Sequence, residues 1–160
     1  MCNHAGVFMV RGVTKNWKQP IGFFLTHGTM APLVLVEKIK ECIGKLQNIG
    51  LKPIVFVSDQ GSNNRSAINS LGVTIENPHF TVNGQKIHVL FDAPHLLKNI
   101  RNNLKKHNFS DNQYYYRWSH VEQLFKEDSS KPIRLVPKLT FKHINLPAFS
   151  TMSVPLAVQV

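Results

Sequence analysis

An α/β domain is the fold class this sequence predicts, and three features predict it. Two short apolar runs, 54–57 and 87–91, each end in an aspartate and lead into a helix, the layout of strands in a parallel sheet. Between an amino-terminal hairpin and the first of those runs lies a segment, 32–49, whose apolar residues fall on one helical face. The chain is 160 residues long, with 42% hydrophobic and 18% charged residues, which suits one water-exposed domain with a sizeable core.

The charge is lopsided. Nineteen basic and nine acidic side chains give a formal net charge of +10 and a pI near 9.9, which favours a polyanionic partner such as nucleic acid. Cys2 and Cys42 are the only cysteines and lie far apart, so neither a disulfide framework nor a Cys-x-x-Cys zinc site is encoded, and a reducing compartment is expected. No apolar run approaches the roughly 18 residues of a membrane span, and the opening MCNHAGVFMVRGV lacks the layout of a signal peptide. Nuclear or cytosolic residence is the default expectation.

Taken in order, residues 7–10 and 21–25 read as the two strands of a hairpin. The first begins within a few residues of Met1, and this abruptness predicts a lost neighbouring strand. In the connecting loop, Lys15, Trp17 and Lys18 suit either contact with a nucleic acid backbone or a solvated turn with Trp17 folded onto the sheet. Along 32–49, Leu35, Ile39, Cys42, Leu46 and Ile49 recur at steps of four, three, four and three, with Gly50 as a left-handed stop. Cys42 then lies on the buried face, as a small apolar thiol.

Residues 54–57 predict a strand buried on both faces, with Asp59 at its carboxyl end and Gly61 just beyond. A carboxylate there either caps a turn or faces a ligand, because open α/β sheets place their chemistry at the carboxyl ends of parallel strands. Ser62, Asn63 and Asn64 can cap the next helix or bind the same ligand. That helix runs through Ala67, Ile68 and Leu71 to Gly72, and residues 74–86 form a hairpin or irregular excursion turning at Asn83-Gly84.

The strand at 87–91 ends in Asp92, and Pro94 and His95 open a helix. Leu97, Ile100 and Leu104 form its expected core stripe, while Lys98, Arg101, Lys105 and Lys106 give it a cationic face, either solvated or set against DNA phosphates. His95 suits a metal ligand, a phosphate donor or a hydrogen-bonded core residue. A second unit is expected from residue 110. Tyr114, Tyr115, Tyr116, Arg117 and Trp118 precede Ser119 and Glu122, spaced as a capping box for a helix through Leu124, and 156–160 carry no helix stop. The sequence contains no internal repeat, Walker-type loop, nucleophile elbow or His-Glu-x-x-His motif.

The succession VFMVRGVTKNWKQPIGFF, FVSDQGSNNRSAINSLG and VLFDAPHLLKNIRNNL resembles the catalytic core of P-element-type DNA transposases, including their THAP-domain relatives. The similarity covers about residues 5–109. From Tyr114 onward the chain is similar to the start of the guanine-nucleotide-binding insertion of that family. The resemblance implies an RNase H-like mixed sheet flanked by helices over 1–109, incomplete because the first strand is missing, and the start of a helical, GTP-binding insertion domain over 110–160. It also implies Mg²⁺-dependent phosphodiester hydrolysis and strand transfer on transposon ends and target DNA, in the nucleus, by an intact protein that can assemble as a homo-oligomer.

Residue by residue, Asp59 matches the family's second catalytic, metal-holding acid. Asp92 and His95 match an Asp-x-x-His signature that supports the core. The first catalytic Asp is expected upstream of Met1 and a Glu beyond the insertion, so two of the three acids lie outside these residues, and the chain as given is expected to be inactive and poorly stable. A rival expectation is a transposon-derived, non-catalytic module that holds DNA or protein through its basic helix. A third, an unrelated nucleotide-binding α/β protein, lacks a visible phosphate loop.

Overall fold

The amino-terminal hairpin forms as its alternating pattern requires. Strands β1 (His4–Arg11) and β2 (Lys18–Thr26) pair antiparallel, from His4 opposite Thr26 to Arg11 opposite Lys18, with the register slipping between Phe8 and Met9. Pro20, which has no N–H for the ladder, sits opposite Met9 at that irregularity. Trp17 folds back onto the turn: a Cβ on Gly12 would meet the Trp17 Nε1 at 2.4 Å, and the Trp17 carbonyl accepts the Gly12 N–H at 3.0 Å. Only a glycine leaves room for the indole there. This computed structural model describes residues 1–145 and 155–156, so the expected lack of a helix stop at 156–160 lies largely outside the described residues.

Helix α1 (Pro32–Asn48) buries Ile39, Cys42, Ile43 and Leu46, the face that the four-and-three spacing picks out. Ile49 departs from that expectation. The helix ends at Asn48, so Ile49 is its C-cap and stands 73% exposed, while Gly50 takes the left-handed φ of 84° that closes the turn. Burial pushes the Cys42 thiol above its ordinary pKa, which suits packing and not nucleophilic attack.

Next come β3 (Val55–Ser58), α2 (Ser62–Ser70), β4 (His79–Val82) and β5 (Gln85–Phe91). They build a mixed sheet in the order β3-β5-β4, with β3 parallel to β5 and β4 antiparallel to it. Asn83 and Gly84, with φ of 49° and 77°, make the tight turn between β4 and β5. Gln47 of α1 fastens that turn, donating to the Val82 carbonyl and accepting from the Asn83 amide. Helices α1 and α2 lie on one side of the sheet, where Ile39, Ile43 and Ile68 meet Phe80, Val82, Ile87 and Val89, with Phe8 and Phe56 packed at the margin.

The strand expected to be buried on both faces is covered on one. Phe56 points to the core, whereas Val55 and Val57 alternate outward and are 39% and 54% exposed, as is Leu90 of β5 at 56%. Both helices of this unit cover the Phe56 side.

By compactness the chain divides at Phe91, with Asp92–Val160 as a second unit, whereas the sequence reading divides it at 109/110. The second unit holds α3 (Ala93–Lys106), the two-residue strands β6 (Phe109–Ser110) and β7 (Tyr115–Tyr116), α4 (Trp118–Ser129) and α5 (Phe141–Ile144). The expected core stripe of α3 is not buried: Leu97 and Ile100 are about half exposed, and Arg101 is the residue turned into the unit. Its guanidinium lies 4.7 Å over the Trp118 ring and donates to the His143 carbonyl at 2.9 Å. Nor does the capping box at Ser119 and Glu122 form, because α4 starts two residues earlier, at Trp118, with Arg117 at the N-cap.

Candidate functional site

Asp59 follows the last residue of β3 and is exposed, one residue beyond a strand whose own side chains fix its position. Its Oδ1 accepts the Gly61 N–H at 2.8 Å and the Asn64 side-chain amide at 2.7 Å. The first bond closes an Asx turn, which delivers the chain into α2 with Gly61 at the N-cap. The carboxylate therefore sits against the amino end of α2, beside backbone N–H groups that the helix itself leaves free. Two donors on one oxygen orient it.

Asn63 ties the same turn to the loop after β2, donating to Thr29 Oγ1 at 2.8 Å and to the Met30 carbonyl at 2.9 Å. That link brings the end of β2, and with it the start of β1, to the carboxyl end of β3, so β1 and β3 run in opposite directions. Neither strand pairs with the other, since β1 is bonded to β2 and β3 to β5 among the described residues. Both border one groove of about 610 Å³, floored by Phe8, Leu35 and Phe56, with Asp59 and Asn64 at its mouth.

In the second unit, Asp92 caps α3. Its Oδ2 accepts the His95 N–H at 3.2 Å and pairs with His95 Nδ1 at 2.5 Å. The His95 ring bond holds the Asp92 carboxyl below the usual range, against the opposing effect of burial. Both groups stay partly exposed, at 36% and 40% of their side chains. Of the four cations expected on one face, Arg101 is occupied by Trp118 and His143, while Lys105 and Lys106 are exposed in the last turn and Lys98 is half-buried. Asp59 stands in the first unit and these residues in the second.

As to a metal, Asp59 offers a hard oxygen donor of the kind Mg²⁺ prefers, already oriented by its two N–H partners. Among the described residues, no group of three or more His, Cys, Asp or Glu side chains converges on a metal-sized site. The fit is thus that of one ligand. The sequence reading did not single out Gly61 and Asn64 as the groups that orient Asp59, although the Asp-x-Gly spacing of an Asx turn was there to be read.

Residues 1–72 match the TNP-like RNase H N-terminal domain, and residues 94–160 match the TNP-like GTP-binding insertion domain. The chain is 27% identical over 155 residues to the transposable element P transposase of Drosophila melanogaster, covering 95% of this chain and 20% of that protein. It is also 27% identical over 128 residues to the Homo sapiens DNA transposase THAP9, covering 74% of this chain and 14% of that one. The chain therefore spans a fifth or less of these relatives. A solved structure, the Drosophila P element transposase strand transfer complex, superposes with a TM-score of 0.82 at 25% identity, over 99% of this chain and 35% of the other. The mixed sheet flanked by helices matches an RNase H-like domain, and an insertion domain follows it.

Proposed function

Because this chain belongs to the P-element-type DNA transposase family, we propose that it is a segment of a transposase core in which Asp59 serves DNA cleavage and joining. The observation that carries this reading is the orientation of Asp59: an exposed carboxylate at a strand end, fixed by Gly61 and Asn64 at the mouth of a groove. Asp59 would supply one of the carboxylates that hold Mg²⁺. Bound Mg²⁺ at such a site activates water or a 3′-hydroxyl and stabilises the leaving oxygen of the phosphodiester. What this chain does is aim the carboxylate, through two N–H donors at the start of α2.

The groove between β1 and β3 suits a further strand, parallel to β3 and antiparallel to β1, and a carboxylate on that strand would stand beside Asp59. Phosphate contact falls to Lys98, Lys105 and Lys106, with Arg101 kept as an internal link. Asp92 and His95 brace the start of α3. A guanine nucleotide is proposed as a ligand of the second unit, and the nucleus as the place where such an enzyme meets DNA.

A titration of the 160-residue chain with Mg²⁺, followed through backbone amide chemical shifts, tests the central assignment. Shifts confined to residues 58–64, and lost in Asp59→Asn, are expected. Shifts that persist in the variant, or none at millimolar Mg²⁺, would remove Asp59 from the metal site. A Mg²⁺-dependent nicking assay on the same chain should stay at background, since one carboxylate does not hold two ions.

A further inference from the structure

Away from the groove, β4 and β5 bring two histidines face to face. His79 and His88 are directly opposed in the antiparallel ladder. The neighbouring pair is closed by the Val89 N–H on the Pro78 carbonyl at 2.9 Å, and His88 sends its own N–H the other way, to the Ile54 carbonyl of the chain entering β3. His79 and His88 therefore occupy a non-hydrogen-bonded position, where opposed Cα atoms approach to about 4.5 Å and side chains are at their closest. Their rings lie on the outer face of the sheet with centroids 5.8 Å apart and planes inclined at 51°.

The backbone beneath them is held rigidly. Phe80, Ile87 and Val89 alternate with the two histidines and are buried in the core, and the tight Asn83-Gly84 turn fixes the register. Two imidazoles on one tetrahedral or square-planar ion, each at about 2.1 Å through nitrogen, have ring centroids roughly 5 Å apart. Rotation about the side-chain torsions alone closes the remaining gap. Same-face neighbours are Thr81 and Lys86 on these strands and Val55 on β3, so water would complete the coordination.

We propose that His79 and His88 form a two-imidazole chelate for a borderline transition ion such as Zn²⁺, Ni²⁺ or Cu²⁺, a site chemically distinct from the hard-oxygen position at Asp59. Imidazole nitrogen suits these ions and not Mg²⁺. A bound ion would staple β4 to β5 across their outer face. Because the two donors are pre-positioned by the sheet, they should outcompete single surface histidines elsewhere in the chain, such as His120.

Calorimetric titration of the untagged 160-residue chain with NiCl₂ and with ZnCl₂ tests this. One equivalent is expected to bind with a dissociation constant on the order of 10 µM, the scale of a chelate with only two protein ligands. His79→Gln and His88→Gln should each weaken binding at least tenfold, and His120→Gln should change it less than twofold. In the unmodified chain, Zn²⁺ should shift the ring proton resonances of His79 and His88 before those of any other histidine, a readout that does not depend on how the variants fold. Equal affinity in all three variants, or ring shifts led by another histidine, would reduce the pair to a packing contact and overturn the site.

Discussion

Two aspartates in this chain have opposite fates. Asp128, 1% exposed, accepts from Leu135 N–H at 2.6 Å, from Arg134 Nε at 2.9 Å and from the Val136 N–H, and Arg134 in turn reaches the Val136 and Leu139 carbonyls. Asp59 is exposed, with two donors on one oxygen and a groove beside it. A buried carboxylate whose lone pairs are all engaged organises a loop and nothing else. One that is oriented but open can act on a ligand. Residue type and charge are the same, and accessibility separates structure from chemistry.

The largest effect should come from breaking the inward-facing aspartate. Burial alone would raise the Asp128 pKa, but the Leu135 N–H, the Arg134 guanidinium and the Val136 N–H together hold it below the ordinary carboxyl value. Asp128→Asn removes the charge that Arg134 faces and should speed amide exchange in α4 at least about tenfold. Acid should mimic it. A carboxyl with a depressed folded pKa contributes stability that is fully present above its unfolded value of about 3.9 and is lost as pH falls toward the folded value. Exchange in α4 should therefore accelerate below about pH 4 in the natural chain and much less in Asp128→Asn. Identical acid profiles would mean that Asp128 is not the anchor.

Asp59→Asn should do the reverse. With no buried partner to strand, stability should stay within about 0.5 kcal/mol, while the Mg²⁺ response of residues 58–64 disappears. A large loss of stability would make Asp59 a second Asp128 and end the distinction.

The same contrast divides the cations of α3. Lys98, Lys105 and Lys106 should each reduce the log-log salt slope of DNA binding by roughly 0.9 when changed to Glu, similarly for unrelated sequences. Arg101→Lys keeps the charge but gives up the Trp118 stack and the bond to the His143 carbonyl, so it should cost about 1 kcal/mol of stability and leave the slope alone. A changed slope in Arg101→Lys would put its guanidinium on phosphate.

Much of this was legible beforehand. Period and punctuation fix α1, the Asn83-Gly84 hairpin and the parallel strands that lead to Asp59 and Asp92, because each depends on residues near in sequence. What stayed illegible depends on the other partner in a contact. Val55 and Val57 read as buried because apolar residues do not announce which face a helix covers. Arg101 read as a surface cation, since nothing local reveals a tryptophan 17 positions on. The capping box at Ser119 failed because Trp118 and Ser119 both lie inside the helix, which moves the cap two residues back to Arg117.

The smallest expected effect tests whether orientation, and not charge alone, matters at Asp59. Gly61 has φ of −51°, which any residue adopts, so alanine there meets no backbone objection and should be neutral or slightly stabilising. Its Cβ, however, would stand 3.0 Å from Asp59 Oδ1 and 3.7 Å from the Asn64 amide, so the carboxylate must move by a few tenths of an ångström. Charge and burial are unchanged by that shift, and the hydrogen-bond geometry is not. Mg²⁺ affinity, read from the amides of residues 58–64, should fall about two- to fivefold in Gly61→Ala, well short of the loss in Asp59→Asn. An affinity equal to that of the natural chain would show that Asp59 binds as a free surface carboxylate does, and the Asx turn would then be only the way into α2.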